Sequence, residues 1–140
     1  MRNKILSTHY AEIYFDEDTR VYDCKYLPES EDLTDIEWRD LMIEFKDIIE
    51  KCRPNYIVDD NRKRGYSYSP DMQEWMIKLF VPSWNKIGVK KYVQIIPDKI
   101  SGKLTAMQLE ELTDLNFETN FEYRMMEDIN SAYSWIEEDK

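Results

Sequence analysis

Apolar and polar positions alternate one by one over 9–15, "HYAEIYF": Ala11, Ile13 and Phe15 fall on one face, Tyr10, Glu12 and Tyr14 on the other. A period of two predicts a strand. The polar turn "DEDT" at 16–19 leads into "RVYDCKYL", 20–27, a second strand, so a β-hairpin is expected to open the fold. After Pro28 and the acidic stretch "ESED" the period changes. Trp38, Leu41, Phe45, Ile48, Ile49 and Cys52 recur at helical spacing. "TDIE" at 34–37 has the form of a capping box, in which Thr34 accepts from an early backbone N–H and Glu37 reaches back. This helix is expected to run to about residue 52, with Pro54 closing it.

"NYIVDD", 55–60, is a short apolar run suited to a buried parallel strand. A second helix starts well at "SPD", 69–71, with Ser69 as its N-cap and Pro70 in its first turn. Trp75, Met76, Leu79 and Phe80 form its apolar face. Pro82 is expected to kink or divide it, Trp84 and Ile87 to resume it, and Gly88 to stop it. "VKKYVQIIP", 89–97, reads as a strand, 98–103 as a loop and 104–116 as a helix. "FEYRMM", 121–126, alternates again, and Asp128 can cap a last helix carrying Ile129, Ala132, Tyr133, Trp135 and Ile136.

The order β-β-α-β-α-β-α-β-α predicts a single α/β domain over 1–140 with a mostly parallel sheet. No linker, internal repeat or low-complexity segment interrupts it. Polar residues in the first and last strands suggest that one sheet face is half covered. Helices confined to one side would explain this, and so would a dimer. Tyr10, Tyr14, Tyr22 and Tyr26 on the hairpin are the candidate homodimer surface, since aromatics suit interfaces.

A net charge of -10 repels phosphate backbones and anionic bilayers, which ranks nucleic-acid and membrane-surface binding low and leaves a basic protein partner open. No run approaches the ~20 apolar residues a membrane span needs, and "MRNKILSTHYAEIYF" lacks the apolar core of a signal peptide. A cytoplasmic protein with Cys24 and Cys52 reduced is the expectation. His9 is the only histidine and no CxxC spacing exists, so neither a metal site nor a cofactor is expected. Nucleophile-elbow, Walker and dinucleotide fingerprints are missing, and three glycines cannot build a phosphate cradle. The chain therefore reads as a binding protein rather than an enzyme.

An opening hairpin, a strand ending in Asp ("YIVDD"), Trp75 in the next helix, a later Pro in "VPSW", then "GVKKYVQIIP" and the ending "MMEDINSAYSWIEE" together resemble the STAS fold, and within it the SpoIIAA-like branch. The resemblance spans nearly the whole chain. It implies a SpoIIAA-like α/β fold and a regulatory binding role. One label of the branch is shared with a lipid-binding domain, which makes an apolar cleft near Trp75, Phe80 and Trp84 conceivable. Classical members are switched by phosphorylation of a serine in an Asp-Ser-Ser-Gly-like element after the third strand. Here that place holds "DDNRKRGYSYSP", with no Ser-Gly pair, so the phosphorylation site does not carry over.

That loop is the foremost candidate site. It lies past the carboxyl end of a presumed parallel strand, where open α/β sheets place ligands. Arg62, Lys63 and Arg64 could donate to an anion. Ser67, Ser69 and the next helix's N-terminus could assist. A plainer reading explains most of the same residues: Gly65 permits a turn, Ser69 and Pro70 start a helix, and the basic residues are solvated. Asp59 and Asp60 could work as an acid/base pair only if they converged, but neighbours on a strand point to opposite faces. One of them is expected to cap the loop or pair with Arg62 or Arg64. The leading expectation is a protein partner recognised through Asp59, Asp60, Arg62, Arg64, Ser67, Ser69 and Trp75. The alternative is a small apolar or anionic ligand in a cleft beside the second helix.

Overall fold

The computed structural model describes residues 1–96 and 118–139. Its centre is a six-stranded sheet in which the strands lie side by side in chain order. The strands are β1 (Arg2–Ser7), β2 (Ala11–Asp16), β3 (Val21–Tyr26), β4 (Tyr56–Asp60), β5 (Lys91–Ile95) and β6 (Glu122–Met126). The first three pair antiparallel, and β3, β4, β5 and β6 run parallel. A mixed α/β architecture is therefore the fold class. The helix expected over 104–116 lies outside the described residues.

The hairpin forms as β2 and β3, but it does not stand at the sheet's edge. β1 precedes it, pairs antiparallel with β2 and has a register shift between Lys4 and Leu6. Nearly all of β1 is exposed. A strand with no buried face has no period to read, so its residues gave no strand signal.

The first long helix, α1 (Asp35–Cys52), follows a short 3-10 turn at Pro28–Asp32 and is held at both ends. The capping box is complete: Thr34 Oγ1 accepts from Glu37 N at 3.2 Å, and Thr34 N donates to Glu37 Oε1 at 3.0 Å. At the other end Arg53 adopts a left-handed conformation with φ 50°. Arg20 then donates to the carbonyls of Cys52 and Arg53, which satisfies oxygens a helix end leaves orphaned.

The second long helix, α2 (Pro70–Ile87), runs unbroken through Pro82, so the expected division does not occur. Apolar burial on both sides of the proline, from Met76 to Trp84, holds the two halves in one element. Ser69 caps its start, and Gly88, at φ 84°, takes the left-handed position that ends it.

Two cores flank the sheet. Alternation sends Ile13, Tyr22, Cys24, Tyr26 and Ile57 to the face under α1 and α2. Val21, Tyr56, Val58, Val93 and Ile95 go to the opposite face, where the last helix, α3 (Ile129–Glu137), packs Ala132, Trp135 and Ile136. Asp128 caps that helix by accepting from Ser131 N at 2.8 Å. The second face is thus covered over β4, β5 and β6 by part of the same chain.

The tyrosine surface proposed for a homodimer does not assemble. Tyr22 and Tyr26 are buried beneath α1, and Tyr14 faces the other way with the Arg2 guanidinium 3.8 Å above its ring. The strand period sends Tyr14 to one face and Tyr22 and Tyr26 to the other, and Tyr10, just before β2, packs against the core beneath the helices.

Candidate functional site

The loop between β4 and α2 does not project into solvent. Its residues alternate: Arg64, Tyr66 and Tyr68 turn inward, while Lys63, Ser67 and Ser69 face out. Tyr66 stacks on Trp38 of α1 with ring centres 4.4 Å apart, and its hydroxyl donates to Asp35. Tyr68 packs beside the same indole at 5.8 Å. Gly65 N donates to Ser30 Oγ at 2.8 Å, pulling the loop against the 3-10 turn.

Gly65 is needed for that close approach rather than for a turn. An added Cβ would stand 2.6 Å from Glu31 Cβ and 2.8 Å from Glu31 N. Backbone cannot give way as a side-chain tip can. Gly65→Ala is therefore expected to cost about 1–3 kcal/mol, the usual scale of overpacking. A lowered urea midpoint with an unchanged denaturant slope would be the observation. An unchanged midpoint would show that the loop is not seated here.

The basic residues separate. Arg64 is 2 % exposed, with Nη1 donating to Tyr66 O at 3.0 Å and its guanidinium 4.5 Å over Tyr68. The expectation that it serves as a surface anion donor, or as part of a solvated loop, is corrected by this burial. A ring face and a carbonyl replace water around the cation. Arg62 makes a two-pronged pair with Asp60, Nε to Oδ1 at 3.0 Å and Nη2 to Oδ2 at 2.8 Å. Asp60 also accepts from Arg62 N at 3.2 Å. Ser69 is occupied as the α2 cap. Trp75 is half-buried on α2 with Arg39 5.4 Å over its ring.

Asp59 and Asp60 diverge. Asp60 shares a sheet face with Val58's second core, while Asp59 points under α1 and α2. There Asp59 Oδ2 accepts from Tyr92 Oη at 3.1 Å, and Tyr92 Oη accepts from Gln94 Nε2 at 2.7 Å. Burial in this apolar setting pushes the Asp59 carboxyl up to about 6, against the opposing pull of the Tyr92 hydroxyl and the Arg64 charge.

Asp59 lines a cavity with an open volume of about 70 Å³. Roughly 10–15 Å³ on this measure accommodates one water, so the space is that of several waters or a short apolar group. Two strand rows form its floor. Tyr22, Ile57 and Tyr92 lie in register, and beside them Cys24, Asp59 and Gln94. The roof is Met42, Phe45 and Ile49 of α1 with Met76, Phe80 and Trp84 of α2.

Two polar groups of this lining are buried and have no hydrogen-bond partner among the described residues, the Tyr22 hydroxyl and Trp84 Nε1. Tyr22 is 1 % exposed and Trp84 7 %. Leaving such groups unpaired is costly, and native interiors rarely do so. Desolvation raises the Tyr22 hydroxyl well above its ordinary range and keeps it neutral. Cys24, also in the floor, is a buried free thiol pushed upward by the same cause.

Of the cavity's polar residues only Asp59 belonged to the predicted site. Trp84 was anticipated as cleft lining. Tyr22, Tyr92 and Gln94 were missed as members of one cluster. Their signal was present in the strands: Asp59 and Gln94 are polar residues at inward positions of two apolar runs, and they pair across β4 and β5. Among the described residues no cluster of three or more His, Cys, Asp or Glu could hold a metal ion. Among them also, no helix is long and apolar enough to cross a membrane.

No protein-family model, curated protein or solved structure matches the chain.

Proposed function

We propose that this protein is a non-enzymatic binding module that takes a small, mostly apolar ligand into the cavity between the sheet and the helices α1 and α2. The observation that carries this reading is the pair of buried polar groups without a partner among the described residues, Tyr22 Oη and Trp84 Nε1, in a mostly apolar lining that also holds Asp59, Tyr92 and Gln94. Two such groups facing an open cavity have hydrogen-bonding capacity to offer a guest. Ligand sites are typically apolar recesses with a few convergent polar groups, and this one has that composition.

The loop reading is weaker than it was from the sequence. Of its basic residues Arg64 is interior and Arg62 is engaged with Asp60. A SpoIIAA-like scaffold is part of the same proposal. Its support is the order of the described elements from β2 onward. A binding role rather than catalysis is supported by the state of the reactive groups. Tyr92 is held between Asp59 and Gln94, and the Cys24 thiol is kept protonated by burial.

Native mass spectrometry of protein purified directly from cells tests the proposal. The expected result is a mass increment beyond the polypeptide that disappears on denaturation. Bare protein alone, in gentle native spectra, would overturn it.

A further inference from the structure

The cavity also indicates what its ligand carries, an argument that rests on the binding role proposed above. Trp84 Nε1 is a donor and cannot accept. The group that meets it must therefore present a lone pair. The Tyr22 hydroxyl is equally without a partner among the described residues and can donate to the same kind of group.

Charge narrows the choice. Asp59 already places a carboxyl in the wall, with a neutral tyrosine hydroxyl as its hydrogen-bonding neighbour. Arg124 is the only cation among the described lining residues, and its guanidinium lies 4.7 Å over Trp135, in the core of the opposite sheet face. An anionic head group would thus enter beside a carboxylate, while Arg64, the cation that acts on Asp59, is already engaged by the Tyr66 carbonyl and the Tyr68 ring, inside a protein of net charge -10. The displacement of Asp59 itself shows how poorly the site solvates negative charge. A protonated amine could approach Asp59, but it offers donors and would leave the indole N–H unpaired.

We infer that the ligand meets Tyr22 and Trp84 with an uncharged hydrogen-bond acceptor, a carbonyl or hydroxyl oxygen on a short apolar body, and that the cavity rejects carboxylates. The anionic ligand expected as one alternative from the sequence is excluded from this site by the same argument.

The test uses four six-carbon probes at pH 8: hexanamide, hexan-2-one, hexanoate and hexylamine. Each is titrated into the ¹⁵N-labelled full chain and followed at the indole N–H resonance of Trp84, assigned with Trp84→Phe. Hexanamide and hexan-2-one should shift that resonance and bind about tenfold or more tighter than hexanoate and hexylamine, the margin of one good hydrogen bond. In Trp84→Phe the preference for hexanamide over hexylamine should shrink about five- to tenfold. Tightest binding by hexanoate or hexylamine would overturn the inference and leave the binding role standing. Absence of any shift at Trp84 and the other lining residues with all four probes would overturn both.

Discussion

Trp38→Ala should unfold the protein more readily than any other single truncation of its core, with an expected loss of about 3–5 kcal/mol, the range for removing a buried large aromatic. Trp38 is wholly buried. Its indole lies between β3 and the β4–α2 loop, 5.5 Å from the Tyr26 ring on one side and 4.4 Å from the Tyr66 ring on the other. Its Nε1 donates to Met76 Sδ at 3.4 Å, tying α1 to α2. One side chain therefore joins sheet, loop and both helices, so local collapse cannot refill the space. Small domains are stable by only about 5–15 kcal/mol, which makes this loss a large fraction of the total. Urea denaturation at pH 7 measures it. Ile36→Ala, two residues earlier and 75 % exposed, should change stability by less than about 0.5 kcal/mol. Equal effects of the two substitutions would show that the aromatic junction is not central. Limited proteolysis adds a second readout, because losing the indole should expose 61–69 to cleavage.

Stability should fall as the pH rises from about 4 to 6, and Asp59→Asn should remove the share of that fall that belongs to Asp59. The sign follows from proton binding. The Asp59 carboxyl sits at about 6 in the folded chain against an ordinary 3.8. Between these values the folded state holds a proton that the unfolded state has released, so raising the pH favours unfolding. Each pH unit of displacement is worth 1.36 kcal/mol, giving a cost of about 3 kcal/mol fully present above pH 6 and absent below pH 4. The Tyr92 hydroxyl, the Arg64 charge and Asn61 pull Asp59 down, and burial and the Asp60 carboxylate push it up. Asparagine keeps an acceptor for Tyr92 and cannot ionise. The difference between Asp59→Asn and the parent chain should accordingly be near zero at pH 3.5 and about 2–3 kcal/mol in favour of the variant at pH 8. Parallel curves across that interval would place Asp59 in water rather than in the cavity wall. Subtracting the variant isolates this group from Asp23, which burial also displaces upward on the opposite face.

A carboxyl displaced upward by burial in the cavity wall supports the proposed binding role. So do a tyrosine hydroxyl and an indole N–H without partners among the described residues. Each departs from what a core optimised for stability would contain.

What the sequence determined by itself was everything carried by neighbours along the chain. The 34–37 capping box, the Ser69–Pro70 start, the Gly88 stop and the Asp128 cap place helix ends through groups a few residues apart. The alternation in 9–15 and 121–126 and the apolar runs at 55–60 and 89–97 mark strands because burial imposes a period. The divergence of Asp59 and Asp60 follows from the same period.

Tertiary structure decided the rest. β1 is a strand only because β2 offers it hydrogen-bonding partners, and its exposed residues carry no pattern. Arg64 is interior because Tyr66 and Tyr68, folded back against Trp38, supply a carbonyl and a ring in place of water. The four hairpin tyrosines part company because strand geometry assigns faces that composition does not reveal. The cavity exists because two helices roof a patch of sheet whose inward residues include Asp59, Tyr92 and Gln94. Whether a buried polar atom finds a partner depends on groups many residues away, such as Tyr92 for Asp59, and no local pattern encodes that distance.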